Sequence, residues 1–130
     1  MTIQELCDKS HEIAVEKGWW GDAAMNGGES EERNFPELLA LMHSEISEIL
    51  EEYRKFGLTK LIYKEEAWSI NDIDEKVRCD KPEGIAIEFA DLLIRLGDVC
   101  KRYNIPIEKA LQIKMEYNKT RSYRHGNKKC

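Results

Sequence analysis

The sequence predicts an all-α protein, a four-helix bundle, on three observations. Apolar residues recur at three- and four-residue spacing through four separate stretches. Three of those stretches open on a capping residue with an acid three positions later: Thr2 with Glu5, Asn34 with Glu37, and Asp80 with Glu83. Hydrophobic residues make up 42% of the chain and charged residues 35%, a balance that suits helices with one wet face. At 130 residues the chain reads as one helical domain over its whole length.

The first helix starts at the Thr2–Glu5 capping box, continues through Ile3, Leu6, Ser10, Ile13 and Ala14, and stops at Gly18. From Trp19 to Arg33 the chain turns polar and glycine-containing, the signature of a long loop. The second helix opens on Asn34-Phe35-Pro36-Glu37 and runs to about Phe56-Gly57, with Leu38, Leu41, Met42, Ile46, Ile49, Leu50 and Tyr53 inward. Residues 58–79 sustain no period and read as an irregular insertion with one helical turn near Asp74–Val77.

The third helix is expected to begin at Asp80-Lys81-Pro82-Glu83, where proline in a first turn gives up no needed N–H. It extends to about Arg102 on Ile85, Phe89, Leu92, Leu93, Leu96, Val99 and Cys100. A break at Asn104-Ile105-Pro106 starts the fourth helix, through Ile107, Ala110, Leu111, Ile113 and Tyr117 to near Thr120. The basic tail, residues 121–130, is expected to be extended.

Composition narrows the function classes. No apolar run approaches the roughly 20 residues that cross a bilayer, and the first residues lack the basic start of a signal peptide, so a cytoplasmic protein without membrane contact is expected. Cys7, Cys79, Cys100 and Cys130 are scattered, without a CxxC pair, and read as reduced thiols rather than zinc ligands. A formal net charge of −5 argues against sequence-independent binding to nucleic acid. A phosphate ligand would need a cation as mediator.

Glu45 and Glu48 in the second helix, and Glu88 and Asp91 in the third, are each spaced i, i+3, so each pair projects from one side of its helix beside the apolar stripe. Four carboxylates brought together repel unless protons or a divalent ion neutralise them, and magnesium, which prefers oxygen ligands, is the natural occupant. Such an ion would neutralise phosphate charge and lower the pKa of a bound water. Glu48 is the candidate to orient that water or take its proton. Spacing alone leaves a plain solvated face open as the other reading. In the fourth helix Lys114, Asn118 and Arg121 form one stripe suited to phosphate oxygens, or simply to solvent near a helix C-terminus.

With Ser44-Glu45-Ile46-Ser47-Glu48, then Glu88-Phe89-Ala90-Asp91 about forty residues on, and an ending of Lys114, Asn118, Arg121 and His125-Gly126, the sequence resembles the MazG-like branch of the all-α nucleoside triphosphate pyrophosphohydrolases. The resemblance spans roughly residues 34–129. It implies a helical bundle of that type, magnesium (with manganese as a substitute) held by Glu45, Glu48, Glu88 and Asp91, and a triphosphate reached by Lys114, Asn118 and Arg121. The implied reaction turns a nucleoside triphosphate and water into the monophosphate and pyrophosphate, in nucleotide-pool house-cleaning, by a homodimer or dimer of dimers. Ser44 stands where the longer motif has its first Glu, which leaves the number of metal ions open.

For the base, Trp20 or its neighbour Trp19 offers a ring for stacking, while packing on the core is the competing role. A carboxylate-bridged di-iron protein would need Glu-x-x-His on two helices, a pattern that His11, His43 and His125 do not complete. A catalytically silent helical module that binds a nucleotide or a protein is the remaining alternative.

Overall fold

The structure, a computed structural model, describes residues 1–127 apart from the side chains of His125 and Asn127. Lys128, Lys129 and Cys130 of the basic tail lie outside the described residues. The chain runs α1 (Ile3–Glu16), α2 (Asp22–Met25), α3 (Phe35–Phe56), β1 (Tyr63–Glu65), β2 (Trp68–Ile70), β3 (Lys76–Arg78), β4 (Lys81–Glu83), α4 (Ile85–Arg102), α5 (Ile107–Thr120) and α6 (Arg124–Asn127).

This order corrects the all-α four-helix expectation: the fold is mixed. The stretch read as an irregular insertion is an antiparallel hairpin arm. β1 pairs with β4, Tyr63 opposite Glu83, and β2 pairs with β3, Trp68 opposite Arg78, in one unbroken register. The Cys79 N–H donates to the Ala67 carbonyl (2.8 Å) between the two ladders. At the tip, Asn71 Oδ1 accepts the N–H groups of Ile73 (3.1 Å) and Glu75 (2.8 Å), an Asx-type closure that fixes the turn. The expected helical turn at 74–77 is therefore turn and strand.

The start of the third helix is corrected too. Asp80 to Glu83 belong to the arm and α4 begins at Ile85. Gly84 makes the switch at φ +116°, where a Cβ would overlap the Leu61 carbonyl, so neither an L side chain nor a helix running through this point fits. Downstream, α6 shows that the expected extended tail turns helical at residues 124–127, and α2 interrupts the expected loop after Trp19.

Two of the three capping signals hold, while the one at Asp80–Glu83 does not. Thr2 Oγ1 accepts the Glu5 N–H while Glu5 accepts the Thr2 N–H, and Asn34 Oδ1 accepts the Glu37 N–H at 3.2 Å. α4 packs against both α1 and α3. At the α1–α4 crossing Gly97 admits Ser10 and the Cys7 backbone so closely that a Cβ there would stand 3.2 Å from Ser10 Oγ. Trp20, Ala24, Leu38 and Val99 form the core, with Ala14, Val15, Phe35, Leu41, Met42 and Tyr103 against them.

α5 departs further from the bundle. It touches α1, buries no residue, and leaves Ile113 and Tyr117 more than half exposed. The apolar stripes of α3 and α4 are also only half covered, with Ile46, Tyr53 and Phe89 over 50% exposed. Among the described residues no helix is long and apolar enough to cross a membrane.

Candidate metal centre

α3 and α4 pack side by side, and the helical period decides what their shared edge carries. Glu45, Glu48 and Glu52 follow one another at i, i+3 and i+7 along α3, while Glu88 and Asp91 stand at i, i+3 on α4. β4 adds Glu83 just before the chain turns into α4. Together they line a cavity of about 400 Å³.

Within it, carboxylate oxygens of Glu45, Glu88 and Asp91 lie within 4.8 Å of one another, and so do those of Glu52, Glu83 and Glu88. Glu88 belongs to both groups. It is 8% exposed, and among the described residues its carboxylate has neither a hydrogen-bond donor nor a cation. The other buried acids each have a partner. Arg95 Nε donates to Glu45. Glu52 accepts from the Tyr63 hydroxyl at 2.9 Å and from Lys55 Nζ at 3.3 Å, and Lys81 Nζ lies 2.7 Å from Glu83.

The electrostatics follow from this crowding. Burial raises the Glu88 carboxyl above the usual range, and the charges of Asp91, Glu83, Glu48 and Glu45 raise it further. Asp91 is raised by burial and then by Glu45, against the opposing pull of Arg95 and Lys81. Tyr63 is pushed up to about 12, first by desolvation and then because its proton is held by Glu52. The cavity favours uptake of positive charge. All-carboxylate donors, among them the Glu88 carboxylate that opens on the cavity with no partner among the described residues, fit a hard divalent cation.

Of the residues named from sequence, Glu45, Glu88 and Asp91 come together. Glu48 lines the same cavity, exposed, and joins neither close group. Lys114, Asn118 and Arg121 do not reach it. They sit on α5, where Lys114 and Arg121 lie over the Tyr117 ring, and none lines the acidic cavity. Trp20 is wholly buried, its indole N–H donating to Asp98 (2.9 Å), which also meets His11 Nδ1 at 2.7 Å. As a core residue it offers no face to a base.

Trp19, 65% exposed, faces a neighbouring cavity of about 310 Å³ with Ile13, Arg33 and Ile94. Glu45 and Asp91 form a wall common to this cavity and the acidic one.

Sequence reasoning missed Glu52 and Glu83. The i+7 spacing from Glu45 was a usable signal for Glu52. For Glu83 there was none, because Pro82 pointed to a helix start. Comparison with protein-family models, with curated proteins and with solved structures finds no match for this chain.

Proposed function

We propose that the chain is a magnesium-dependent nucleoside triphosphate pyrophosphohydrolase, releasing the monophosphate and pyrophosphate. The observation that carries this reading is Glu88, largely buried as a residue, whose carboxylate opens on the cavity, is shared between two groups of acids and has no partner among the described residues. The MazG-like pattern of Glu45, Glu48, Glu88 and Asp91 supports it from the sequence side.

In this reading Glu45, Glu88 and Asp91 hold the ion. Magnesium bound there would supply neutralisation of phosphate charge and acidify water. Glu48, exposed on the same cavity, takes the proton of the attacking water. Arg95 fixes the Glu45 carboxylate in place. The nucleoside lies in the adjoining cavity, its base against Trp19, Ile13 and Ile94, because the common wall of Glu45 and Asp91 puts that cavity next to the phosphates. The exposed apolar residues of α5 and α3 support assembly into a homodimer or dimer of dimers, in which Lys114, Asn118 and Arg121 would serve a neighbouring site. Free thiols at Cys7, Cys79 and Cys100 suit the cytosol.

The test is incubation with each common NTP and dNTP, with magnesium or with EDTA, and separation of products by anion exchange. Magnesium-dependent monophosphate and pyrophosphate, without diphosphate, is expected. No turnover of any of them would leave either a modified nucleotide as the substrate or a silent binding module, and would reopen the enzyme reading.

A further inference from the structure

The acidic cavity has two cations of its own. Lys55 on α3 and Lys81 on β4 both line it, and each is paired with a buried acid of the second carboxylate group: Lys55 Nζ is 3.3 Å from Glu52, and Lys81 Nζ is 2.7 Å from Glu83. The pairs are lopsided. The acids are 5% and 11% exposed at the side chain, while the lysines are 54% and 69% exposed. A buried carboxylate needs a counter-charge, whereas a lysine with its stem in water loses little by letting go. Beside them stands Glu88, largely buried as a residue, its carboxylate opening on the cavity and without a partner among the described residues, although one of its oxygens lies within 4.8 Å of oxygens of Glu52 and Glu83. Two lysines thus cover two of the three acids and leave the third bare.

We propose that Lys55 and Lys81 are the phosphate-binding residues of this site, holding Glu52 and Glu83 until a second divalent ion, beside the one held by Glu45, Glu88 and Asp91, takes those carboxylates, and then receiving the non-bridging oxygens of a metal-bound polyphosphate. The inference rests on the metal-site reading above and adds the ligand chemistry: a polyphosphate chain gripped by two ammonium groups that line the cavity, one on the helix and one on the arm. It also supplies within a single chain the cations that α5 does not bring to the cavity. Exchange of partners keeps the charge balanced, since each lysine released from a carboxylate meets a phosphate oxygen as the ion replaces it.

The test uses Lys55→Met, Lys81→Met and the double variant, with Lys119→Met as control. Lys119 makes the same kind of i, i+3 pair, with Glu116, on α5 away from the cavity. Binding of manganese alone is followed by electron paramagnetic resonance, and binding of inorganic tripolyphosphate with magnesium by calorimetry. Each cavity variant is expected to bind tripolyphosphate about tenfold more weakly, the loss of one charge-assisted hydrogen bond, and to bind manganese more tightly because its carboxylate is freed. The control should match the wild type in both. Unchanged tripolyphosphate affinity in the double variant, or weaker manganese binding, would overturn the role of the lysines while the metal reading stands. A wild type that binds no manganese would sink both.

Discussion

The Tyr63 hydroxyl donates a 2.9 Å hydrogen bond to the Glu52 carboxylate, tying the first strand of the hairpin arm to the acidic edge of α3. Lys55 holds the other oxygen of the same carboxylate. One side of the metal cavity is therefore built by the arm and by α3 together. Tyr63→Phe removes the tie at nearly constant volume. It should lower the melting midpoint by a few degrees and loosen the arm, read as faster amide exchange at residues 63–65 and 81–83 by hydrogen–deuterium exchange. Exchange identical to the wild type would show that backbone pairing alone anchors the arm.

Glu88→Gln should separate stability from activity. A neutral amide no longer suffers burial as a charge, so the metal-free protein should gain on the order of 1 kcal/mol at neutral pH. Turnover should fall by more than about 100-fold, beyond what the loss of an outer contact to a metal ligand costs. Urea melts in EDTA and steady-state rates in magnesium measure the two effects. A destabilised variant would mean that Glu88 has a favourable partner in solution.

The pH dependence has a definite sign. The carboxyls of Glu88 and Asp91 are raised in the folded chain, first by burial, so the native state holds protons that the unfolded state has released. Stability of the metal-free protein from these groups is greatest below the ordinary carboxylate range, about pH 4, and is lost as pH rises through the raised values. Magnesium should reverse the trend, because it binds the ionised forms. Thermal melts between about pH 4 and pH 8, with EDTA and with magnesium, should diverge as pH rises. Parallel curves would remove these two acids from the metal site.

The two adjacent tryptophans should behave oppositely. Trp20→Phe leaves a gap in the core and takes a donor from Asp98, costing about 2–4 kcal/mol in urea denaturation. Trp19→Ala should leave stability within about 0.5 kcal/mol, as surface changes do, and raise KM for the nucleotide. Equal KM values for the Trp19 variant and the wild type would move the base elsewhere.

How far the sequence foretold these features depends on how local each one is. Thr2 with Glu5 and Asn34 with Glu37 are short-range signals, and both helix starts are found where they point. The i, i+3 pairs on α3 and α4 were legible as faces because a helix converts spacing directly into direction. The arm was not. Its strands are three residues long and mostly exposed on both faces, so no alternation marks them, and their register is held by cross-strand backbone bonds that composition does not reveal. Pro82 was read as a helix start because proline favours a first turn. It equally suits a two-stranded edge, where its missing N–H faces away from the ladder. Glu83 was lost with that misreading. Trp20 and Trp19 were inseparable in sequence, since burial of one rather than the other is decided by Asp98, far along the chain.

The chain leaves for the arm at Leu61 and comes back at Gly84, and those two points touch: the Ala86 N–H donates to the Leu61 carbonyl at 3.0 Å. Departure and return thus share one doorway. The outer half of the arm, from Trp68 to Arg78, can lengthen, shorten or change its side chains without shifting α3 against α4. The inner rungs have no such freedom, since Tyr63, Lys81 and Glu83 all serve the acidic cavity. Variation among descendants of this sequence should therefore gather beyond Ala67 and before Cys79, where a new partner or a new substrate could be accommodated with the helices left in place.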